Sequence, residues 1–498
     1  MNKKIINSSV LGKLKLKYKN KKIALCHGVF DLLHIGHLKH FKEAKNYCDI
    51  LVVSITSDKF VNKGPGRPYF GINERSIMIS ELEVVDYVFI NVFPDATNVL
   101  KILKPDFYVK GLDYKKKSTD VTKKIFQEEN QVKKFGGKII FTNSKLNSAS
   151  SLLNRFFINY SKDQKNFIDN IKKKYSFNYI NQILKNLKNI KTLVIGEPII
   201  DRYIETKALG LGSKSPIVAT KIIKQEDYLG GSAAILNHLL ALNSNAQLLI
   251  PANKLDFKYL KKLENKNIFE TKKWRIPIKS RFVDFFKVRK IFETQKIDDK
   301  IWNLDEEEKF IRKIKNIVNK FDLILIADFG HGLFSPKIIN FIESLKIFKS
   351  ANVQTNAYNY GFNLITKYQK IDYFCIDVIE MKLATQDNVS ELFTLNQKLK
   401  KKMKRHLDYA ITLGKDGASI IEKNKILNCP VMFDEVLDTV GAGDAFFTIS
   451  SILKKMKIDN DLNLFLSNCY AGLKTKVVGN SRPVTLLELQ RTIEYLLK

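Results

Sequence analysis

Two histidines three residues apart, His34 and His37, have the types and spacing that chemistry on a phosphate requires. They lie in the stretch from Gly28 to His37, GVFDLLHIGH. Imidazoles at this helical spacing can face one ligand and donate hydrogen bonds to phosphoryl oxygens as negative charge develops. Gly28 and Gly36 allow the backbone to approach that ligand closely. The stretch therefore predicts a phosphate site.

A second candidate site lies near the end of the chain, where Asp444 follows Gly441, Ala442 and Gly443. Small residues at a helix start leave backbone N–H groups free to bind an anion. A carboxylate on the first turn can accept a proton from a hydroxyl group. Phosphoryl transfer needs positioning, charge neutralisation and a base. This pattern predicts a phosphoryl-transfer site with Asp444 as its base.

The elements that position the histidines alternate strand-like and helical runs. Five apolar runs are typical of buried strands: Ile23 to Leu25, Ile50 to Ile55, Tyr87 to Ile90, Phe107 to Val109 and Lys138 to Phe141. Helix-length segments separate them, which predicts a parallel sheet with crossover helices. We therefore expect a Rossmann-like nucleotide-binding domain with the histidines at the carboxyl end of its first strand.

The length of 498 residues exceeds that of one core, so several domains are expected. The patterns predict an N-terminal arm (1–21), a first α/β domain (22–157), a helical linker (158–190) and a second α/β domain (191–498). The linker is rich in Lys and Asn, with apolar residues at roughly helical spacing. The predicted fold class is α/β with two domains.

The amino-acid composition limits the kinds of function that this protein could have. The net charge of +33 comes from lysines spread along the whole chain, which argues against a dedicated nucleic-acid surface but suits anionic sugar phosphates and nucleotides. Neither a signal peptide nor a bilayer-spanning run is present, so we expect a cytoplasmic protein with no membrane partner. The five cysteines are odd in number and lack a Cys-x-x-Cys pair, which predicts reduced, packed thiols rather than disulfides or a zinc site.

Residues 22–157 resemble the cytidylyltransferase-like nucleotidyltransferases, especially the adenylyltransferase half of bifunctional ADP-heptose synthase. Besides the histidine stretch, the matching text is Ser57-Asp58, Lys63-Gly64, Arg67-Pro68, Glu74-Arg75 and Val109 to Tyr114. The resemblance implies that His34 and His37 stabilise the α-phosphate, that Lys63 and Arg75 hold the triphosphate, and that Asp113 lies in the nucleotide pocket. The other nucleotide or phosphate contacts that it implies are Gly28, Phe30, Asp31, Gly111 and the serine cluster Ser148, Ser150 and Ser151.

Residues 191–498 resemble the ribokinase-like, or PfkB, carbohydrate kinases and the heptose-kinase half of ADP-heptose synthase. The matching text is Gly196 to Asp201, Gly230-Gly231, Asp377 to Glu380 and Asp438 to Phe447. The resemblance implies that Asp444 is the catalytic base and that Gly441, Ala442 and Gly443 form an anion hole. Further implied roles are sugar contacts for Asp201, Gly230 and Gly231, a phosphate-binding segment at Lys279 and Arg281, and a position near the magnesium-phosphate site for Glu380.

Four positions depart from the usual kinase pattern. Glu197 stands where the family has Asp, Ala234 where it has Asn, Gln354-Thr-Asn where many members have Asp-Pro-Lys, and Asp377 where it has Asn. We interpret these changes as concentrated in sugar and metal contacts, which leaves the phosphoryl-transfer machinery intact and the sugar open. The domain order is also reversed relative to the familiar heptose enzyme, whose kinase comes first.

The leading hypothesis is a bifunctional sugar kinase and sugar-1-phosphate nucleotidyltransferase that makes a nucleotide-activated, heptose-like sugar for surface glycans. It implies ATP as kinase donor, ATP or CTP as nucleotidyl donor, Mg²⁺, a sugar or sugar-phosphate substrate and a homodimer. One alternative keeps only the nucleotidyltransferase active, beside an altered kinase fold. Another is RNA binding, because HIGH is also a signature of class I aminoacyl-tRNA synthetases, although Lys402-Met-Lys-Arg is a poor match to their second motif.

Overall fold

The computed structural model describes residues 3–61, 67–111, 124–142, 160–212, 217–284, 289–298, 302–403, 408–422, 425–433 and 435–497. The chain divides into two compact units. The first unit contains residues 1–160 and 490–498, and the second contains residues 161–489. Each unit has its own sheet and its own buried apolar core.

Six parallel strands form the sheet of the first unit. They are β1 (Ile5–Ile6), β2 (Ile23–Gly28), β3 (Ile50–Thr56), β4 (Tyr87–Asn91), β5 (Phe107–Gly111) and β6 (Lys138–Thr142). Their spatial order is β1-β4-β3-β2-β5-β6. After β4 the chain crosses back to β5 on the other side of β2, so the carboxyl ends of β2 and β5 border the crevice in which such sheets bind ligands.

Helices cover both faces of this sheet. They are α1 (Ser8–Lys17), α2 (Ile35–Lys45), α3 (Ile72–Ser80), α4 (Thr97–Leu103) and α5 (Lys124–Lys134). The N-terminal residues do not form a separate arm, because β1 pairs with β4 and Leu11 and Leu14 of α1 are buried in the core. Burial of these two leucines makes the segment part of the domain.

The second unit is built on a nine-stranded sheet. Its strands are β7 (Thr192–Gly196), β10 (Ala246–Ala252), β11 (Lys266–Glu270), β14 (Leu323–Asp328), β15 (Phe348–Val353), β16 (Tyr373–Asp377), β17 (Tyr409–Thr412), β18 (Ala418–Glu422) and β19 (Lys425–Cys429). The order is β11-β10-β7-β14-β15-β16-β17-β18-β19, and all neighbours are parallel except at β17-β18 and β18-β19. The carboxyl ends of β7, β14 and β15 therefore meet at one edge.

A smaller sheet of four strands completes the second unit. Its strands are β8 (Pro198–Leu211), β9 (Val218–Gly231), β12 (Ile278–Asp284) and β13 (Lys290–Lys296), in the order β13-β12-β8-β9. Asp201 on β8 lies in register with Lys279 on β12. Since paired residues point to the same face of a sheet, this register places an acidic and a basic side chain side by side.

Eleven further helices are described after residue 160. They are α6 (Lys162–Lys174), α7 (Phe177–Asn186), α8 (Ser232–Ala241), α9 (Phe257–Leu260), α10 (Leu304–Ile317), α11 (Pro336–Ser344), α12 (Val378–Thr385), α13 (Leu392–Met403), α14 (Ala442–Lys455), α15 (Asn460–Lys474) and α16 (Leu486–Leu497). The residues predicted to form a linker are α6 and α7, and both group with the second unit. Their apolar stripes, including Ile171 and Ile180, are buried.

The cysteines are free thiols, as predicted from their spacing, and all are buried except the half-buried Cys48. No helix in the described part of the chain is both long and apolar enough to cross a membrane.

Candidate active sites

The two histidines meet at the start of α2. His34 is the N-cap of that helix, and its Nδ1 accepts a hydrogen bond from the Gly36 N–H at 3.0 Å. A ring nitrogen that accepts carries no proton, so the neutral imidazole of His34 holds its proton on Nε2 and can donate from there. The centroids of the His34 and His37 rings are 4.0 Å apart. The predicted histidine pair is therefore assembled beside a helix N-terminus.

Phe30 and Asp31 lie in the loop that precedes the histidines. Phe30 has a positive φ of 50°, and its ring packs edge-on against His37 with centroids 5.5 Å apart. Asp31 is buried and accepts from the N–H groups of Tyr69 and Phe70 at 2.9 and 3.1 Å. A Cβ on Gly28 would lie 3.1 Å from the Phe30 ring, a tight contact that glycine avoids. These three residues shape the loop, and contact with a nucleotide stays a prediction.

Arg75 is buried among protein acceptors. Its side chain is completely buried. Nε donates to Phe70 O at 2.9 Å, Nη1 to Val29 O at 2.5 Å, and Nη2 to Thr56 O at 3.0 Å and to Asp58 Oδ1. All three nitrogens are engaged, so Arg75 holds this loop in place, and its triphosphate role stays a prediction.

Arg67 is the arginine that sequence reasoning passed over as a site residue. Its Nε donates to Asp31, and the side chain is 2% exposed. Within the described part of the chain, Nη1 and Nη2 have no hydrogen-bond partner although both are buried. Unpaired buried donors are costly, and a planar guanidinium is well suited to phosphate. The signal in the sequence was Arg67-Pro68, directly after the basic and glycine-rich Lys63-Gly-Pro-Gly.

Gly111 ends β5, next to the carboxyl end of β2, as its predicted role requires. The neighbouring Lys110 is already paired with the buried Glu128 at 3.1 Å. Lys63, Asp113 and the predicted serines Ser148, Ser150 and Ser151 lie outside the described residues, so their roles stay predictions.

In the second site, the carboxylate of Asp201 is surrounded by Arg281, Asn480 and Gly230. Arg281 forms an ion pair with Asp201, and Asn480 Nδ2 donates to Asp201 Oδ2 at 2.8 Å. A Cβ on Gly230 would lie 2.1 Å from the same oxygen, so only glycine fits there. Gly231 has a φ of 61° and is the N-cap of α8. The predicted sugar contacts Asp201, Gly230 and Gly231 are thus adjacent.

Lys279 and Arg281 were predicted together as a phosphate-binding segment, but their side chains differ in whether they already have protein partners. Arg281 uses its guanidinium on two carboxylates, Asp201 and Glu293, the latter at 3.0 Å. The ammonium of Lys279 makes no hydrogen bond or ion pair with the described residues, and the side chain is buried. Burial lowers its pKa, whereas Asp201 raises it. Lys279 is therefore available to an anionic substrate group, and Arg281 is committed to holding Asp201.

Asp444 lies on the first turn of α14, a helix whose N-cap Gly441 has a φ of 79°. Its Oδ1 accepts from Gln354 Nε2 at 2.9 Å. Burial, and then the charge of Asp201, raise the pKa of Asp444 to about 7, while Gln354, Lys474 and Lys279 oppose the rise. A carboxylate with such a pKa is well matched to general-base chemistry near neutral pH. Gly441, Ala442 and Gly443 provide the small residues expected beside it.

Glu380 is engaged by the backbone. Oε1 accepts from the Thr355 N–H at 3.0 Å, and Oε2 accepts from the Asp377 N–H at 2.8 Å in a capping box at the start of α12. Burial, and then Asp377, raise the pKa of Glu380 to about 8. The described residues contain no cluster of three or more His, Cys, Asp or Glu side chains that could hold a metal. The indirect role of Glu380 near a metal stays a prediction.

The departures from the kinase pattern are not confined to sugar and metal contacts. Glu197 is buried, and its carboxylate accepts from the N–H groups of Phe329, His331 and Leu333, so it holds a loop rather than a sugar. Burial, and then Asp328, raise its pKa. Gln354 contacts the base Asp444 directly. The expectation that these changes spare the base was wrong for Gln354, because residue 354 directly follows β15 and lies beside the first turn of α14.

Gln354, Asn480 and Lys474 are the site residues that sequence reasoning missed in the second unit. Lys474 is fully buried and donates to Val440 O and Gly479 O. Gln354 was visible only as a departure from a motif. Asn480 and Lys474 belong to no local pattern, since their partners Asp201 and Val440 are distant in the chain.

Comparisons with known proteins define the class of each domain. A family model described as cytidylyltransferase-like matches residues 25–155, and one described as pfkB family carbohydrate kinase matches residues 362–454. The chain therefore has an N-terminal nucleotidyltransferase-like domain followed by a ribokinase/PfkB-like fold. The predicted fold class of two α/β domains is confirmed.

The particular proteins that it resembles are of two kinds. The Bifunctional protein HldE of a Nitratiruptor species is 39% identical over 115 residues, which are 22% of this chain and 25% of that protein. The HldE of Campylobacter jejuni (strain RM1221) is 40% identical over 117 residues, or 23% and 25%. These matches cover the N-terminal domain. The chain thus spans about a quarter of the length of these curated relatives.

A solved structure of phosphofructokinase-2 from Escherichia coli in complex with potassium matches with a TM-score of 0.51 and 14% identity. It covers 62% of this chain and 100% of that chain. Another structure of that enzyme, in complex with substrates and products, gives a TM-score of 0.51 and 13% identity. At these identities the likeness establishes the fold of the C-terminal domain alone.

Proposed function

We propose that the chain is a bifunctional transferase that activates a sugar, heptose-like in chemistry, in two steps. Its C-terminal domain phosphorylates the anomeric hydroxyl, and its N-terminal domain joins the resulting sugar 1-phosphate to a nucleotide. The product serves surface glycan synthesis in the cytoplasm. Three findings support the proposal: the HldE matches, the presence of both domains on one chain and the buried Asp444 at the N-terminus of α14. Asp444 is the observation on which the kinase half depends.

In the kinase step, Asp444 accepts the proton of the sugar hydroxyl. The hydroxyl oxygen bonds to the γ-phosphorus of ATP, and the bond between the γ-phosphorus and the β-phosphate oxygen breaks, which releases ADP. Gln354 holds Oδ1 of Asp444 and thereby orients the carboxylate. Asp201 lies close enough to raise the pKa of Asp444 and receives the sugar hydroxyls. Lys279, which has no partner among the described residues, suits a phosphate already present on the sugar.

Mg²⁺ enters the proposal as the partner of the nucleotide phosphates. Protein sites for Mg²⁺ commonly supply only one or two carboxylates and leave the rest to water and phosphate oxygens. When bound, the ion neutralises the charge that develops on the transferring phosphoryl group. Glu380 could orient that ion through water, because both carboxylate oxygens already accept backbone N–H groups.

In the nucleotidyl step, a sugar 1-phosphate oxygen bonds to the α-phosphorus of ATP or CTP and the bond to the β-phosphate breaks, which releases pyrophosphate. His34 donates from Nε2, because its Nδ1 accepts from Gly36. His37 lies beside it, and the N-terminus of α2 adds its dipole. The two Arg67 nitrogens that lack a partner among the described residues suit the departing pyrophosphate.

Pyrophosphate release with each of the four nucleoside triphosphates and a panel of heptose and hexose 1-phosphates tests the N-terminal half. We expect release with one nucleotide and one sugar class, lost in His34→Ala. ADP formation from ATP with the matching free sugars and sugar phosphates tests the other half. Release by His34→Ala at the wild-type rate would overturn the assigned role of the histidine.

A second candidate keeps the nucleotidyltransferase and makes the kinase fold a sugar-binding module. The observation that favours it is Gln354, which occupies one oxygen of the base where related kinases carry a different motif. Comparison of ADP formation by the wild type and by Asp444→Asn decides between the two. Equally low rates in both proteins would favour the binding module.

A further inference from the structure

Lys474, the last residue of α15, is the one fully buried lysine among the described residues. Its ammonium donates to Val440 O at 2.8 Å and to Gly479 O at 2.7 Å. A buried lysine is costly unless its charge is compensated. Two main-chain carbonyls provide part of that compensation.

These carbonyls belong to two different segments of the candidate site. Val440 directly precedes Gly441, the N-cap of α14, and Gly479 directly precedes Asn480. A Cβ on Gly441 would lie 3.2 Å from Lys474 Cε and 2.5 Å from Asn480 Oδ1. The ammonium therefore joins the loop that begins α14 to the turn that presents Asn480 to Asp201.

Three carboxylates complete the surroundings of this ammonium. Asp438, Asp444 and Asp201 each raise the pKa of Lys474, but burial has the larger effect and lowers it to about 8. Asp438 also accepts from Lys290 at 2.8 Å and from Tyr203 at 2.6 Å. Lys474 in turn opposes the rise in the pKa of Asp444. A positive charge thus lies next to the anion hole and acts on both the base and the sugar contact, where transfer of a phosphoryl group would add more negative charge.

We propose that Lys474 is the internal cation of the phosphoryl-transfer site: it holds the anion-hole loop in place and offsets the negative charge of Asp444 and of the nucleotide, so that the site needs no monovalent metal ion. This inference rests on the proposed kinase function of the C-terminal domain. Lys474 acts as a positioning residue, since its ammonium contacts the loop carbonyls.

Chemical rescue separates this role from a merely structural one. Lys474→Ala would leave a gap lined by Val440 O and Gly479 O, into which NH₄⁺ or K⁺ fits, because both ions bind carbonyl oxygens and are similar in size. Lys474→Met would fill the same space without a charge and leave no room for an ion. The two variants therefore differ in rescue while both lack the ammonium.

The measurement is the affinity for the Mg²⁺ complex of adenosine 5′-(β,γ-imido)triphosphate, by calorimetry, in K⁺, NH₄⁺ or tetramethylammonium at matched ionic strength. We expect the wild type to bind equally in all three. Lys474→Ala should bind about tenfold more weakly in tetramethylammonium and recover in NH₄⁺ or K⁺, and Lys474→Met should stay weak throughout.

Three results would overturn the inference: a wild type that needs K⁺, a Lys474→Met protein that binds as the wild type does, or a folded Lys474→Ala protein that no ion rescues. The wild-type comparison holds even where a variant fails to fold. A wild type that binds no nucleotide in any salt would instead refute the proposed kinase function, and the inference would fall with it.

Discussion

At the scale of single residues, the two candidate sites differ in what their key side chains offer: Asp444 is suited to accept a proton, and His34 is suited to donate a hydrogen bond. Asp444 is buried, so its carboxylate holds a proton more tightly than an exposed aspartate does and is well placed to accept one near neutral pH. His34 is fixed as a donor at Nε2 by the N–H of Gly36. Burial thus sets the protonation of Asp444, and the Gly36 N–H sets which nitrogen of His34 holds the proton.

The kinase reaction should therefore lose activity as the pH falls through about 7, because a protonated Asp444 cannot accept the hydroxyl proton. The measurement is the pH profile of kcat/KM for ADP formation. Gln354→Glu places a second carboxylate at the base and should move the acidic limb to higher pH. A profile that is flat down to about pH 5 would contradict this assignment.

Ionisation of Asp444 should also cost stability. Its folded pKa exceeds the usual value of 3.8, so the stability that protonation provides is complete below that value and is lost as the pH rises through about 7. Asp444→Asn should therefore raise Tm relative to wild type more at about pH 8 than at about pH 4. Thermal unfolding at the two pH values measures the difference, and equal shifts would show that Asp444 ionises without penalty.

Arg67 and Arg75 should respond oppositely to replacement by lysine. Arg75→Lys removes donors from Val29 O and Thr56 O, which leaves buried acceptors unpaired and should cost about 3 kcal/mol of unfolding free energy. Arg67→Lys keeps a cation beside Asp31 but loses the two guanidinium nitrogens that have no partner among the described residues. We expect it to raise the KM for the nucleoside triphosphate about tenfold with a small change in Tm.

Thermal unfolding and the kinetics of pyrophosphate release on both variants provide the comparison. A large loss of Tm in Arg67→Lys with an unchanged KM would assign Arg67 a structural role instead.

At the scale of elements, the N-terminus of α14 contains two glycines that are needed for different reasons, one for its backbone conformation and one for the space beside it. Gly441 needs its φ of 79°, and a Cβ there would lie 2.5 Å from Asn480 Oδ1. A Cβ added to Gly443, which lies inside the helix, would have no heavy atom of the described residues within 4 Å. The open space beside Gly443 is where the anion hole would receive a phosphoryl group.

Gly441→Ala should lower both Tm and ADP formation, because the left-handed backbone and the clash are both unfavourable. Gly443→Ala should keep or slightly raise Tm, because alanine favours a helix by about 1 kcal/mol, yet still lower ADP formation by occupying the open space. The two measurements on each variant test this contrast. An unchanged rate in Gly443→Ala would place the phosphoryl group elsewhere.

At the scale of the whole molecule, the chain has two units with separate sheets and cores. Each contains one of the candidate sites, and every side chain assigned to a site lies in the same unit as the rest of that site. Chemistry in one unit should therefore survive damage to the site of the other.

Asp444→Asn should abolish ADP formation while leaving pyrophosphate release from an added sugar 1-phosphate unchanged, and His34→Ala should do the reverse. The test measures ADP formation and pyrophosphate release for each of the two variants. Loss of both reactions in either variant would show that the two sites depend on each other.

The sequence by itself determined the two α/β domains, the histidine pair and the Gly-Ala-Gly-Asp helix start, because these depend on local periodicity and on residues close together in the chain. Tertiary structure alone decided which arginine is committed to carbonyls, that Glu197 holds a loop, and that Lys474 and Asn480 join the site. The physical reason is that a polar side chain acquires its role from the partners that folding brings to it. Arg75 and Arg67 look alike as text. Only the folded chain shows that each side-chain nitrogen of Arg75 donates a hydrogen bond to a protein acceptor, while Arg67 keeps two nitrogens without a partner among the described residues.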